Sequence, residues 1–371
     1  LISMIDTLKR MDILLWLYLL SLAVLGLVVL YAAVHEGDIA VFQKQVVFWC
    51  IGLLGFLCIC FVPLRLMGLL AWPAYLLALL GLALVPLIGD VHMGARRWLD
   101  LGAVAFQPSE MMKWALMLML AHWFASREPN TWPNFLIPLL MVILPAALIV
   151  IQPDLGTTLV LLFASIAMLI ASGFAWRWIF SALAVSPIVL YILWHYMHAY
   201  QKQRVLSFLD PQSDPLGAGY HVIQSSIAIG SGGFWGKGYL EGTQGRLHFL
   251  PEQHTDFIFA ILAEEGGLIA VTLLLVLYGI LISRMLTIAA HAHSRFGALL
   301  ATGIASIFML YAFVNIGMVS GILPVVGVPL PFISYGGSAL LTMLGALAIV
   351  MRVAIESKGN IPWQRPSSPL S

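Results

Sequence analysis

The chain has 371 residues, of which 61% are hydrophobic and 9% charged, with a net charge of +1. Soluble domains carry about 25% charged residues, so charges this sparse cannot solvate a globule of this size and lipid must cover most of its surface. The near-neutral balance leaves no electrostatic footprint for nucleic acid, and long continuous apolar runs exclude a β-barrel, which would show short alternating segments.

A spanning helix needs about 20 apolar residues. Ten such runs are predicted in chain order, at 13–34, 46–63, 67–88, 108–125, 134–151, 156–173, 176–198, 257–282, 297–320 and 337–355. The expected fold class is therefore an all-α polytopic membrane protein of ten transmembrane helices, with residues 1–371 forming a single membrane domain. The first run is too long for a signal-peptide core and reads as the first span. Pro145 and Pro187 are expected to kink their helices without breaking them. Cys50, Cys58 and Cys60 share one apolar run, point to different sides of a helix and read as small buried hydrophobes.

Placing the N-terminus in the cytoplasm leaves ten Lys and Arg residues in inner segments and four (Lys44, Arg96, Arg97, Lys113) in short outer regions, as the positive-inside rule expects. Both termini are then cytoplasmic, with a short tail at 356–371. The 89–107, 199–256 and 321–336 segments are then extracytoplasmic loops, and 199–256 is too short and glycine-rich to hold a core.

Most acids fall at or near the outer face, and ionisable groups at membrane depth are costly and usually paired or functional. Glu110 and Lys113 open the fourth span three residues apart, on one helix face, as a helix-orienting ion pair or as the wall of a polar cavity. Asp154 lies in a tight turn between the fifth and sixth spans, where it can cap a helix and still present a carboxylate. Asp256 stands where the long polar loop meets the apolar run from Phe257. Glu264 and Glu265 lie inside the eighth span and suit a positioning role.

The segment from Gly230 to Gly238 fails as a phosphate loop, because Ser231 stands where glycine is needed and Gly238 follows Lys237 in place of Ser or Thr. It reads as a flexible surface loop whose amides and Lys237 could touch an anion. His195 and His198 alone are weak evidence for a metal. No order of Ser, His and Asp or of Cys and His suggests a covalent nucleophile. Acids with scattered cations suit group transfer from a phosphate-activated, lipid-soluble donor, since acids abstract protons or bind metal and cations hold phosphate.

Six motifs run in order along nearly the whole chain: Gly94-Ala95-Arg96-Arg97-Trp98-Leu99, Gln107-Pro108-Ser109-Glu110 with Lys113, Gln152-Pro153-Asp154-Leu155-Gly156-Thr157, Ile227 to Gly233, Pro251 to Phe259, and Pro329 to Gly337. Together they resemble the SEDS proteins (shape, elongation, division and sporulation). The segments Asp210 to Tyr220 and Asn315 to Val319 favour the elongation branch, with the division branch as rival. The resemblance implies a peptidoglycan glycosyltransferase in the bacterial cytoplasmic (inner) membrane. Such an enzyme polymerises lipid II on the extracytoplasmic side, with inversion and with undecaprenyl pyrophosphate as leaving group. It implies Asp256 as the general base, its pKa raised by partial burial, with Lys113, Arg204 and Arg97 on pyrophosphate and Lys202 among the substrate-binding residues. Glu110 and Asp154 would shape the cavity. A divalent cation (Mg or Mn), with Glu110, Asp154 and Asp256 as possible ligands, would neutralise the leaving group. The implied partners are lipid II, a class B penicillin-binding protein and other membrane proteins of an elongation complex. The competing reading of the same spans and charges is a lipid II flippase.

Overall fold

The computed structural model describes residues 4–92, 95–100, 105–127, 131–175, 218–243 and 253–359, with nine single positions between 180 and 202. Among these the chain is helical, and six helices are long and apolar enough to cross a membrane. It is a multi-pass membrane protein. The elements in order are α1 (Met4–Arg10), α2 (Ile13–Val34), α3 (Ile39–Cys60), α4 (Leu64–Ile88), β1 (Asp90–His92), β2 (Ala95–Asp100), β3 (Ala105–Phe106), α5 (Pro108–Ala125), α6 (Trp132–Ile151), α7 (Leu155–Ala171), α8 (Ala218–Gly232), α9 (Ile258–Ala290), α10 (Arg295–Val319) and α11 (Gly337–Lys358).

Nine predicted spans coincide with helices, and the one at 176–198 lies largely outside the described residues. The second span begins earlier than predicted, at Ile39, because the Asp38 carboxylate caps the helix by accepting from Ala40 N at 3.1 Å. Lys44, expected in an outer loop or at an outer helix end, therefore sits in the first turns of α3. The 89–107 segment, expected as a loop of an all-α fold, contains a small antiparallel sheet in the order β1-β2-β3, pairing Asp90 with Trp98 and Leu99 with Phe106. Helix α8 lies inside the predicted 199–256 loop. Cys50 and Cys58 are exposed on the outside of the bundle and only Cys60 is buried, so two of the three do not serve the core as expected.

Helix α5 is the centre of the bundle: Met112, Leu116, Met117, Met119, Leu120 and Phe124 are all inaccessible. Around it the apolar faces of α4, α7, α10 and α11 close the core. Two glycines let the 321–336 segment press into the bundle. A side chain at Gly26 of α2 would collide with the Phe332 carbonyl, and one at Gly156 of α7 would lie 2.6 Å from the Val326 carbonyl. The segment is tied down further by Tyr278 of α9, whose hydroxyl donates to the Pro331 carbonyl. The segment expected as an outer loop thus becomes part of the core.

The opposite end of the bundle is held by charge. Asp12 caps α2 by accepting from Leu15 N at 3.0 Å and pairs with Arg284 of α9, whose Nε donates to Oδ1 at 3.0 Å. Arg352 of α11 bonds Glu356 at 2.8 Å and the Cys60 carbonyl at 3.1 Å, and Glu356 accepts from Leu64 N at the start of α4. Burial pushes the Asp12 pKa up, but the bonds from Arg284 and Leu15 outweigh it and leave the group below its ordinary value of 3.8. A carboxylate depressed in the native state stabilises the fold above its unfolded pKa, and that stability is lost as pH falls through the native value. Asp12→Asn should lower the unfolding stability in detergent by about 1–3 kcal/mol at neutral pH. The gap from the parent should close as pH falls below 3.8; thermal melts across pH measure both.

Candidate active site

A cavity of about 630 Å³ opens among Arg97, Gln107, Glu110, Asp154, Asp256 and Tyr311, with Gly327 to Pro329 and Tyr335 to Ala339 completing its wall. The first turns or N-terminal flanks of α5, α7, α9 and α11 border it, so the positive ends of four helix dipoles meet there. Of the four, only α7 has a side-chain cap. Orphan amides at such ends make a ready site for an anion.

Asp256 lies in the turn that leads into α9, one residue before the N-cap Phe257, and is partly buried. Its backbone is fixed from several sides. Asn315 of α10 donates through Nδ2 to the Asp256 carbonyl at 2.9 Å and to the Val328 carbonyl at 2.7 Å. Gln253 donates to the Ala33 carbonyl of α2 at 2.8 Å, and the His254 carbonyl accepts from Tyr335 N at 2.9 Å. Gly327, at φ +70°, brings its backbone beside the carboxylate: a Cβ there would stand 3.4 Å from Asp256 Oδ2. That left-handed φ favours glycine.

Asp154 does both jobs expected of it. Oδ1 accepts from Thr157 N at 3.1 Å as the cap of α7, Oδ2 accepts from Thr157 Oγ1 at 2.9 Å and Gln107 Nε2 at 3.3 Å, and the residue lines the cavity. Arg97 reaches over from β2, donating to the Gln152 carbonyl at 3.2 Å and the Pro153 carbonyl at 2.6 Å, and keeps its place in the cavity wall.

Glu110 and Lys113 pair at 2.6 Å, as their spacing predicts. Tyr311 Oη donates to Glu110 Oε1 at 3.2 Å and Thr342 Oγ1 to Oε2 at 3.3 Å, while the Lys113 ammonium lies 4.4 Å from the centre of the Tyr311 ring. Glu110 lines the cavity, but Lys113 is inaccessible and does not. The expectation that Lys113 holds pyrophosphate directly gives way to a structural pairing: its charge is committed to Glu110. Lys202 is also absent from the cavity wall; its ammonium lies 6.0 Å from the Trp194 ring centre. Arg204 and His198 lie outside the described residues.

Asp154, Glu110 and Asp256 line one cavity, but among the described residues no three His, Cys, Asp or Glu side chains group closely enough to hold a metal ion. The oxygens of Asp154 and Glu110 already accept from neighbouring donors. The three acids therefore do not fit a shared metal cage.

Several site residues escaped the sequence reading. Gln45 of α3, buried, donates to the Ser334 carbonyl and accepts from Gly336 N, both at 3.3 Å, which sets the start of α11. Tyr311, Thr342 and Gln107 carry no sequence signal as partners of the acids, and Asn315 stands out in the sequence only as a marker of the elongation branch. The available signal was a lone amide within an apolar run. Lys113→Met would strand the buried Glu110 and should cost about 3–5 kcal/mol, whereas Lys113→Met with Glu110→Gln should cost clearly less than the sum of the two single changes. A double-mutant cycle of detergent melts measures this, and strict additivity would deny the coupling.

The family model FTSW_RODA_SPOVE, described as "Cell cycle protein", matches residues 12–359. The chain is 47% identical over 345 residues to "Peptidoglycan glycosyltransferase MrdB" of Escherichia coli (strain K12), covering 92% of this chain and 93% of the relative. It is 37% identical to "Probable peptidoglycan glycosyltransferase FtsW" of Trichlorobacter lovleyi, covering 95% of each. Among solved structures, a chain from "Structural coordination of polymerization and crosslinking by a peptidoglycan synthase complex" aligns with a TM-score of 0.82 at 36% identity, covering 93% of this chain and 98% of that one. The Thermus thermophilus rod shape determining protein RodA aligns with a TM-score of 0.72 at 31% identity, covering 93% and 97%. With the family model matched over residues 12–359 and the bundle matched along almost its whole length, the chain belongs to the FtsW/RodA/SpoVE family of cell cycle proteins.

Proposed function

We propose that this chain is a peptidoglycan glycosyltransferase of the elongation type, polymerising lipid II at the extracytoplasmic end of its bundle in the bacterial inner membrane. The observation that carries this reading is the convergence of Asp256, Asp154, Glu110 and Arg97 on one cavity bordered by four helix N-termini. The higher identity to MrdB than to FtsW supports elongation over division. The full set of ten spans, with both termini and the Asp12–Arg284 end in the cytoplasm, follows from the positive-inside bias and belongs to the same proposal.

The chemistry suits these residues. A sugar hydroxyl of one lipid-linked disaccharide attacks the anomeric carbon of another. As the new C–O bond forms, the bond from that carbon to the pyrophosphate oxygen breaks and the pyrophosphate departs with the electron pair. Asp256 takes the proton of the attacking hydroxyl, as a positioned carboxylate does in general-base catalysis. Inversion follows from attack opposite the leaving group. Arg97, whose planar fork matches phosphate, and the unshared amides at the start of α11 take the growing charge of the pyrophosphate. Glu110 and Lys113 hold α5 in place against α10 and α11. A class B penicillin-binding protein is the proposed partner, in keeping with the coupled polymerisation and crosslinking named for the 36%-identical relative.

The test is polymerisation in reconstituted vesicles. The parent protein should make glycan strands from lipid II added to the outside, and Asp256→Asn should lose at least about a hundredfold in rate, within the range expected of a general base. Flipping of lipid II without polymer would favour the transporter, and full polymerisation by Asp256→Asn would remove the assigned base.

A further inference from the structure

Helix α9 is two helices joined at Gly267, where φ +62° and ψ −160° break the regular ladder. The break leaves backbone groups unsatisfied, and in lipid such groups must find partners within the protein. The glycine-rich segment after α8 supplies them. Lys237 N donates to the Glu264 carbonyl at 3.0 Å and Gly238 N to the Glu265 carbonyl at 3.1 Å, while Leu268 N donates to the Gly233 carbonyl at 3.0 Å. Close approach demands the glycines: a Cβ at Gly232 or Gly236 would overlap the carbonyls of Ala263 and Glu265. The segment expected to be a flexible loop is a clasp on the break.

The clasp also carries charge. Lys237 Nζ lies 2.6 Å from Glu264 Oε1, which accepts in addition from Thr243 N at 2.9 Å and Thr243 Oγ1 at 3.0 Å. The Glu264 side chain is inaccessible, whereas that of Lys237 is 27% exposed. Backbone bonds already bridge the break, and burying a carboxylate costs desolvation energy that a pair often fails to recover. Such a pair fixes geometry more than it adds stability. The geometry at stake is the half-helix Ile258 to Gly266, whose Ile258 to Ala263 are all buried and whose N-terminal end, about 9 Å along the axis from Glu264, follows directly on the turn that carries Asp256.

We infer that the Lys237–Glu264 pair, with Thr243, is a positioning element that fixes the rotation and depth of the half-helix aiming Asp256 into the cavity. The inference rests on Asp256 being the base. A rigid half-helix transmits a shift at Glu264 to Asp256, and a displacement of about 1 Å at a reacting group can cost about a hundredfold in rate.

The experiment is lipid II polymerisation by purified full-length Lys237→Met, Glu264→Gln, Lys237→Arg and Thr243→Val, with rates normalised to folded protein by gel filtration. Lys237→Met and Glu264→Gln should lose about tenfold in kcat with KM within about twofold of the parent, and Lys237→Arg, which keeps the charge, should recover most of that loss. Parent-like kcat, or a loss that only tracks the folded fraction, overturns the inference. If the first two variants do not fold, Thr243→Val decides: a kcat about threefold lower supports positioning and an unchanged kcat refutes it. Asp256→Asn in the same assay separates the two claims. If it stays active, the assignment of the base fails; if it is dead while the clasp variants match the parent, only the positioning inference fails.

Discussion

One side-chain amide, that of Asn315, holds the site together. It sits inaccessible near the C-terminal end of the apolar helix α10 and uses one nitrogen to reach two carbonyls, those of Asp256 and Val328. Both bonds are shielded at least in part from solvent, so each is worth keeping and its loss leaves a carbonyl without that partner. Through that amide the turn before α9 and the 326–328 segment of the cavity wall become one unit. The carboxylate of Asp256 then has a fixed neighbour in Gly327, and the cavity a fixed depth.

The rest of the bundle divides its polar groups between two ends. At the cavity end Glu110, Lys113, Tyr311 and Thr342 join α5, α10 and α11, while Asp154 caps α7 beside Arg97. At the other end Asp12, Arg284, Arg352 and Glu356 tie α2, α4, α9 and α11. The helices between are apolar and packed by small residues and methionines around α5. Helix α9 connects the ends: it starts just after Asp256, breaks under the clasp at Gly267 and later carries Arg284.

Much of this was legible along the chain. Long apolar runs located nine helices because lipid demands continuous hydrophobicity, and the spacing of Glu110 and Lys113 revealed their pairing because residues three apart share a face. Asp154 showed both its cap and its carboxylate. What was not legible depends on distant contacts. The burial of Lys113 is set by Tyr311 on another helix, 198 positions away. The three short strands after α4 are too brief to carry a periodic signal. The early start of α3 was hidden because Lys44 and Gln45 interrupt its hydrophobicity, although Gln45 faces inward to hold Ser334 and Gly336. The glycines at 232 and 236 looked like flexibility, since nothing local reveals that another helix backbone lies against them.

The most direct test of the central claim is steady-state lipid II polymerisation by purified Asn315→Leu, a near-isosteric change that removes both bonds, normalised to folded protein. The account predicts a fall of about ten- to a hundredfold in kcat with KM within about twofold of the parent, because the cavity still binds but its acid is no longer held. A folded Asn315→Leu protein with the parent kcat would contradict it.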